Sequence, residues 1–138
     1  MSADKSILAQ TNPLLPQLNY AVELQKVAAT VGFDWPSIDG IIDKIHEEIN
    51  EVKAEVNTPN NDARLLDEMG DLLFACTNLA RHLNIDPELA IKTGNQKFYR
   101  RFFQLEVLAN EKGLEINSLS LEQLDLLWER VKQGEEKL

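Results

Sequence analysis

Cysteine is nearly absent from this sequence, and so are the patterns of secreted and membrane proteins. The single cysteine, Cys76, excludes an internal disulfide, so nothing indicates an oxidising compartment. Six glycines and five prolines are too few for a loop-rich β-sandwich or a low-complexity chain. No apolar run approaches the ~20 residues that cross a bilayer, and the first residues lack the basic-then-apolar pattern of a signal peptide. We therefore expect a soluble, cytoplasmic protein.

Basic residues are also scarce, since 14 lysines and arginines stand against 23 acidic residues for a formal net charge of −9. This charge opposes binding to polymeric nucleic acid and to anionic membranes, and we expect neither as a partner. The 138 residues suffice for one domain with a core, and a hydrophobic content of 43% argues against wholesale disorder.

The apolar residues follow a helical spacing almost throughout, and no stretch alternates as a strand does. Glycine, proline and asparagine-rich breaks divide this pattern into predicted helices over about 16–31, 37–57, 63–84, 87–112 and 121–133. The pair Asp86–Pro87 predicts the start of the fourth helix, and Ser120 with Gln123 predicts a capping box for the fifth. The prediction is an all-α bundle of about five helices.

The domain is predicted to span residues 15–138, after a polar, poorly ordered arm over residues 1–14. The third helix has an unusually wide apolar surface, because Phe74 and Ala75 extend it beyond one face. Such a helix lies centrally in a bundle or against a second chain. The pattern therefore predicts core helices that are shared in a dimer.

Carboxylates recur at a spacing of three on two neighbouring helices, as Glu48 and Glu51 on the second and Glu68 and Asp71 on the third. One such pair alone is expected by chance in so acidic a chain, and would be a solvated surface pair. In an antiparallel hairpin about the turn at 58–62, however, Glu51 and Glu68 lie roughly 9 and 8 Å from the turn, and Glu48 and Asp71 roughly 13 and 12 Å. Four converging carboxylates require a cation, and oxygen ligands favour Mg²⁺, or Mn²⁺, over zinc.

Cations are expected at the same level of the bundle. Lys97 and Arg101 stand one turn apart on the fourth helix, and counting from the turn at 84–87 places them level with Asp71. Acids that hold a hard cation and face lysine and arginine suit a diphosphate or triphosphate substrate. The alternative is that Lys97, Arg100 and Arg101 only offset local acidity, and it applies best to Arg100, which points outward.

Five motifs carry a resemblance to a known family. In chain order they are Val31-Gly32-Phe33-Asp34-Trp35, Glu47-Glu48-x-x-Glu51, Glu68-Met69-Gly70-Asp71-Leu72-Leu73-Phe74, Asn78-Leu79-Ala80-Arg81-His82 and Lys97-Phe98-x-Arg100-Arg101-Phe102. Over about Leu15 to Lys132 the sequence resembles the MazG nucleoside triphosphate pyrophosphohydrolases, and within them the C-terminal, catalytic domain. MazG proteins often carry two domains of this type in tandem, whereas this sequence contains one.

The resemblance implies an all-α fold that forms a homodimer, with a tetramer as the alternative, and Mg²⁺ held by Glu48, Glu51, Glu68 and Asp71. It implies a house-cleaning hydrolase that converts NTP or dNTP and water to the monophosphate and pyrophosphate. The residues implied to contact the nucleotide are Lys44, Glu47, Arg64, Asp67, Asp71, Lys97, Arg100, Arg101 and Trp128, with Lys132 as a further candidate. Those expected to act in catalysis are Glu47, Glu48, Glu51, Lys97 and Arg101.

Three alternatives remain open at this point. Trp128 or Trp35 could stack on the base, or either ring could simply pack in the core. A ferritin-like di-iron protein would need Glu-x-x-His motifs on facing helices, and the nearest sequence, Asp43-x-x-His46, points away from Glu48. A non-catalytic helical interaction module with solvated acids would show neither Mg²⁺-dependent stabilisation nor turnover of nucleotides.

Overall fold

The computed structural model describes residues 1–136 of this chain, and the chain is all-α in that range. Its five α-helices are α1 (Gln17–Ala29), α2 (Ile38–Glu55), α3 (Asp62–His82), α4 (Pro87–Glu111) and α5 (Leu121–Glu136). Short 3₁₀-helices cover Ala3–Lys5, Ile7–Gln10 and Ile116–Ser118, and no strand occurs among the described residues. The predicted fold class and all five predicted helices are confirmed, with helix ends a turn or less from those expected.

The helix ends follow the predicted chemistry. Gly32 after α1 and Gly113 after α4 have φ angles of +86° and +68°, the left-handed conformation that a glycine adopts without strain. The carboxylate of Asp86 accepts a 2.9 Å hydrogen bond from a backbone N–H of the first turn of α4. Ser120 and Gln123 cap α5 reciprocally, through side-chain to backbone hydrogen bonds of 2.8 and 3.2 Å. These local signals explain why the helix boundaries could be predicted.

The chain forms two compact units, Met1–Ala90 and Ile91–Leu138, and α4 runs through the boundary between them. In the first unit α3 packs against both α1 and α2, and the 3₁₀-helix Ile7–Gln10 contacts α1. The domain limits predicted at residues 14 and 15 stay a prediction, and the last two residues of the predicted domain lie outside the described range. No described helix is both long and apolar enough to span a membrane.

The interior of the first unit is more polar than its helical pattern suggests. Ile41 of α2 and Ala75 of α3 are buried apolar residues, but Gln25, Thr77 and Asn78 are buried with them. Buried polar groups of this kind require hydrogen-bond partners or a ligand. Gln25 of α1 meets this requirement in part by donating a 3.1 Å hydrogen bond from its Nε2 to Thr77 Oγ1 of α3.

The second unit has a compact apolar core of its own. Leu105 and Ala109 of α4 and Leu127 and Val131 of α5 are buried together. Trp128 packs against this cluster from its edge. The α4–α5 pairing in this unit is therefore held by hydrophobic burial.

Candidate functional site

Three carboxylates converge on one point of the first unit. Glu48 of α2 and Glu68 and Asp71 of α3 each offer a carboxylate oxygen, and these oxygens all lie within 4.8 Å of one another. The i, i+3 spacing on α3 places its two acids on one face, and the packing of α2 against α3 brings Glu48 to them. The group contains no histidine, which is the residue that a ferritin-like site would require. Such a set of oxygens could hold a metal ion.

Glu51, the fourth predicted ligand, is exposed on α2 and is not part of this group of converging oxygens. Its charge nevertheless acts on the group, because it contributes to the raised pKa of Glu68. Glu51 lies one turn after Glu48 along α2. Its role as a ligand stays a prediction.

Burial, together with the negative charges of neighbouring acids, raises the pKa values of Glu68 and Asp71. Desolvation raises the pKa of Glu68 most, and the negative charges of Glu51, Asp71 and Glu48 raise it further. Desolvation likewise raises the pKa of Asp71, reinforced by Asp67 and Glu48 and partly opposed by Lys44. Negative charge therefore exceeds positive charge at this point, which is the condition that a bound cation relieves.

Lys44 of α2 supplies part of the missing positive charge. Its ammonium nitrogen lies 2.9 Å from Glu48 Oε1 and 3.4 Å from Glu47 Oε1. The hydrogen bond to Glu48 is the main cause of the raised pKa of Lys44. The sequence implied a contact between Lys44 and the nucleotide, whereas the structure shows it oriented by a candidate metal ligand.

The second oxygen of Glu48 makes the case for a cation. Only 7% of the Glu48 side-chain surface is exposed, and its Oε2 is buried without a hydrogen-bond partner among the described residues. An unpartnered buried carboxylate oxygen is costly unless a proton or a metal ion compensates it. The donor set is all carboxylate, so it fits a hard divalent cation better than zinc or copper.

The first unit has two neighbouring cavities, and one of them opens beside the acids. One, of about 280 Å³, has Glu48, Asp71 and Lys44 in its wall. The other, of about 550 Å³, lies between α1, the α1–α2 linker and α3. Trp35, Phe74 and Asn78 line both cavities. Trp35 is 41% exposed, so it is not the plain core residue that one of the sequence alternatives would have made it.

The other predicted residues of the first unit lie near the acids but at the surface. Glu47 and Asp67 are exposed, and Asp67 raises the pKa of Asp71. Arg64 is exposed and lies 3.9 Å from Glu55, the last residue of α2. Their contact with a nucleotide stays a prediction.

The predicted cations of α4 belong to the second unit. Lys97 is exposed. Arg101 Nε lies 2.9 Å from Glu135 Oε2, and Arg100 Nε lies 3.6 Å from the other oxygen of Glu135. Glu135 is not among the predicted site residues, because an acid on α5 carries no local sign in the sequence of a partner on another helix. The phosphate contacts of these three cations stay a prediction.

The predicted contacts on α5 also lie in the second unit. Trp128 is half-buried, and its ring centroid lies 5.7 Å from that of Phe98 at an interplanar angle of 42°. Lys132 forms a 2.9 Å ion pair with Glu129 on the same helix. Trp128 therefore has a packing role within its unit, and its contact with a nucleotide stays a prediction.

A cluster that received no role in the sequence analysis joins the α1–α2 linker to the end of α3. Asp34 Oδ1 lies 2.5 Å from the guanidinium of Arg81 and 2.9 Å from His82 Nε2. Arg81 Nε also donates to Asn78 Oδ1 at 3.0 Å. The hydrogen bond from Arg81 is the main reason that the pKa of Asp34 lies well below its usual range. Asp34, Arg81 and His82 all lie in the motifs that carry the family resemblance, but the sequence alone does not show that they are in contact.

The chain matches a known protein family over the region that contains the acids. A family model described as the MazG nucleotide pyrophosphohydrolase domain matches residues 37–105. This segment includes α2, α3, all the predicted acid ligands, Lys97 and Arg101. It excludes Trp35 and α5.

Similar curated proteins cover nearly all of this chain. It is 43% identical over 131 residues to the nucleoside triphosphate pyrophosphohydrolase/pyrophosphatase MazG of Thermotoga maritima. The aligned region covers 95% of this chain and 50% of that protein. It is 43% identical over 134 residues to the nucleoside triphosphate pyrophosphohydrolase of Escherichia coli K12, covering 96% and 51%. It is 41% identical over 136 residues to the uncharacterized protein YabN of Bacillus subtilis, covering 99% and 28%. The chain thus spans about half the length of the first two relatives.

Proposed function

Because this chain belongs to the MazG nucleotide pyrophosphohydrolase family, we propose that it hydrolyses nucleoside triphosphates to the monophosphate and pyrophosphate. The observation that carries the proposal is the convergence of Glu48, Glu68 and Asp71, with one buried oxygen of Glu48 left unpartnered in the described chain. The names of two relatives, both nucleoside triphosphate pyrophosphohydrolases, support the same reaction. Ribonucleotides and deoxyribonucleotides are both candidate substrates, in a house-cleaning role.

Glu48, Glu68 and Asp71 would hold Mg²⁺, with Mn²⁺ as the alternative and Glu51 as a further ligand. When bound, such an ion supplies neutralisation of phosphate oxygens and a lowered pKa for a water molecule. Lys44 holds one oxygen of Glu48 at 2.9 Å and so leaves the other oxygen for the ion. The chain therefore fixes the orientation of its most buried ligand before any substrate arrives.

The remaining catalytic work is positioning and charge stabilisation. Glu47 is exposed beside the acid group, and in our proposal it accepts a proton from, or orients, the attacking water. Lys97 and Arg101 donate hydrogen bonds to phosphate oxygens as negative charge develops on them. Further contacts to the nucleotide come from Arg64, Asp67, Arg100, Trp128 and Lys132.

Assembly and location complete the proposal. Large apolar side chains of α3 are exposed in the single chain, among them Leu66, Met69 and Leu73. A homodimer, or a tetramer as the alternative, would bury them. We also propose that the protein acts in the cytoplasm, where its triphosphate substrates are found.

A screen of pyrophosphate release tests the function directly. The common ribonucleoside and deoxyribonucleoside triphosphates are incubated with the protein in Mg²⁺ and, separately, in EDTA. Asp71→Asn should lower the rate at least about 100-fold, because the variant loses a charged ligand in the acid group. Asp125→Asn, an exposed acid of α5, is the matched control and should keep the wild-type rate.

Two results would contradict the proposal. One is the absence of pyrophosphate release from every triphosphate. The other is an Asp71→Asn protein as active as the control. Mg²⁺-dependent stabilisation without turnover would instead favour a metal-binding module that is not an enzyme. Running Glu51→Gln beside Asp71→Asn determines whether the fourth acid also acts as a ligand.

A further inference from the structure

The smaller cavity of the first unit connects the acid group to an asparagine of α3. Glu48 and Asp71 lie in its wall, and so does Asn78. Asn78 comes about two turns after Asp71 on the same face of α3, which separates the two residues by roughly 10 Å along the helix axis. A ligand that is held at the acids and extends along this face of α3 therefore reaches Asn78.

Arg81 determines which way the amide of Asn78 points. Only 9% of Asn78 is exposed, and its Oδ1 accepts hydrogen bonds from Nε and Nη2 of Arg81, at 3.0 and 2.8 Å. A guanidinium can only donate, so these two bonds identify the oxygen of the amide. Asp34 holds the same guanidinium through both of its carboxylate oxygens, at 2.5 and 3.3 Å.

The nitrogen of this amide is a donor without a protein acceptor. Asn78 Nδ2 makes no hydrogen bond among residues 1–136, and it is not one of the unpartnered atoms that the fold seals from solvent. Because Asn78 belongs to the wall of both cavities, a ligand bound there can reach this nitrogen. A donor in this position favours a ligand that offers an oxygen acceptor.

The order of these groups along α3 matches the order of groups in a nucleotide. Carboxylates that hold a metal ion bind the phosphates through it, and the sugar is the part of the molecule joined directly to the phosphates. Its hydroxyl oxygens are neutral hydrogen-bond acceptors.

We propose that Asn78 Nδ2 donates a hydrogen bond to a hydroxyl of the substrate's sugar, and that Arg81 is the positioning residue that holds the amide in this orientation. This inference rests on the proposed function and adds two residues to its site. The sequence analysis placed both in a family motif but gave neither a role.

The test is an equilibrium binding experiment in Mg²⁺ that requires no turnover. Three ligands are titrated into the full chain: α,β-methylene ATP and its 2′-deoxy and 3′-deoxy forms. The wild-type protein should bind the complete analogue about tenfold more tightly than the form that lacks the contacted hydroxyl, which is the effect of one buried hydrogen bond of ordinary strength. The other deoxy form should bind within about twofold of the complete analogue, so the comparison identifies the hydroxyl.

Asn78→Asp separates the donor from the structural contact. A carboxylate accepts the same two hydrogen bonds from Arg81 but cannot donate, so Tm should not fall, while the tenfold preference should shrink to within about twofold. If Asn78 served only as a partner for Arg81, the preference would survive this substitution. Asn110→Asp, which adds the same charge at an exposed position of α4, is the matched control and should keep the tenfold preference.

Arg81→Lys tests the positioning role. Lysine keeps the positive charge but lacks the planar fork that binds Asp34 and Asn78 together, so the preference should fall below about threefold although Asn78 is intact. Partial unfolding of either variant lowers all three apparent affinities by the same factor and leaves their ratios unchanged.

The outcomes separate this inference from the function on which it rests. Equal affinities of the wild-type protein for the three ligands, or a preference that survives Asn78→Asp, overturns the sugar contact even if pyrophosphate is released. A preference that is lost in Asn78→Asp and kept in Asn110→Asp supports the contact even if no triphosphate is hydrolysed. A full preference in Arg81→Lys overturns the positioning role of Arg81.

Discussion

Replacing Glu48 by glutamine is the sharpest perturbation of the acid group. Glutamine keeps the shape of the side chain but removes the charge of its most buried member. In the metal-free protein, this loses the 2.9 Å ion pair with Lys44 and relieves repulsion with Glu68 and Asp71. Because these two effects oppose each other and the Lys44 side chain is 37% exposed, we expect the metal-free free energy of unfolding to change by less than about 1 kcal/mol.

The effect on metal binding has no such compensation. At a Mg²⁺ concentration about 100 times the dissociation constant, binding stabilises the folded wild-type protein by about 2.7 kcal/mol. A domain of this length gains about 3–5 °C in Tm per kcal/mol, so the expected shift is about 8–14 °C. If Glu48→Gln weakens binding about 100-fold, the same Mg²⁺ contributes only about 0.4 kcal/mol and a shift of about 1–2 °C.

Thermal unfolding in EDTA and in Mg²⁺ measures both quantities on the same samples. Asp43→Asn, an exposed acid on the same helix, is the control and should keep the full Mg²⁺ shift. A Glu48→Gln protein that retains the wild-type shift would refute the assignment of Glu48 as a ligand. A wild-type protein without any shift would refute the metal site as a whole.

Three further variants probe contacts around the site. Asp34→Asn should lower the free energy of unfolding, measured in urea, by about 1–3 kcal/mol, because it weakens the hydrogen bond to Arg81. Since the pKa of Asp34 is lowered in the folded protein, this difference should be full above about pH 5 and should shrink as the pH falls. A difference that does not depend on pH would contradict this prediction. Gly40→Ala should displace the indole of Trp35, since the added carbon would lie 2.9 Å from it, and an unchanged tryptophan emission spectrum would contradict this. Glu135→Gln should lower kcat/KM by up to about fivefold, because it weakens the ion pairs that hold Arg100 and Arg101 in place, and it should leave Tm nearly unchanged. A large loss of Tm would instead indicate that Glu135 has a structural role.

The features that could be predicted from the sequence depend on local chemistry. The helices are marked by apolar periodicity, and their ends by residues such as Gly32 and Asp86, whose conformations or hydrogen bonds involve close neighbours. The acid group could be anticipated because both helices meet at one short turn. Counting residues from that turn then places Glu48 level with Asp71.

The features that could not be predicted depend on contacts between distant parts of the chain. Asp34 and Arg81 are 47 residues apart, and Gln25 and Thr77 are 52 residues apart. On a helical wheel Gln25 is an ordinary polar residue, and only the packing of α3 against α1 buries it. The burial of Gln25, and its Oε1 without a hydrogen-bond partner among the described residues, are therefore visible only in three dimensions.

The pH dependence of metal binding follows from the same crowding of acids. The pKa values of Glu68 and Asp71 are raised, so the metal-free folded protein holds protons more tightly than the unfolded chain does. These two groups therefore favour the metal-free fold at acidic pH, and their contribution is lost as pH rises through their raised pKa values. A bound cation reverses this preference, because it requires both carboxylates to be ionised.

We therefore expect the Mg²⁺-induced shift in Tm to be large near pH 7.5 and to decline steadily toward about pH 5, where protons compete with the metal. Differential scanning fluorimetry in paired EDTA and Mg²⁺ samples across this range measures the shift. Asp71→Asn removes one of the competing protonation sites, so its smaller shift should vary less with pH. A wild-type shift that stays constant from about pH 7.5 to pH 5 would mean that these carboxylates do not bind the ion.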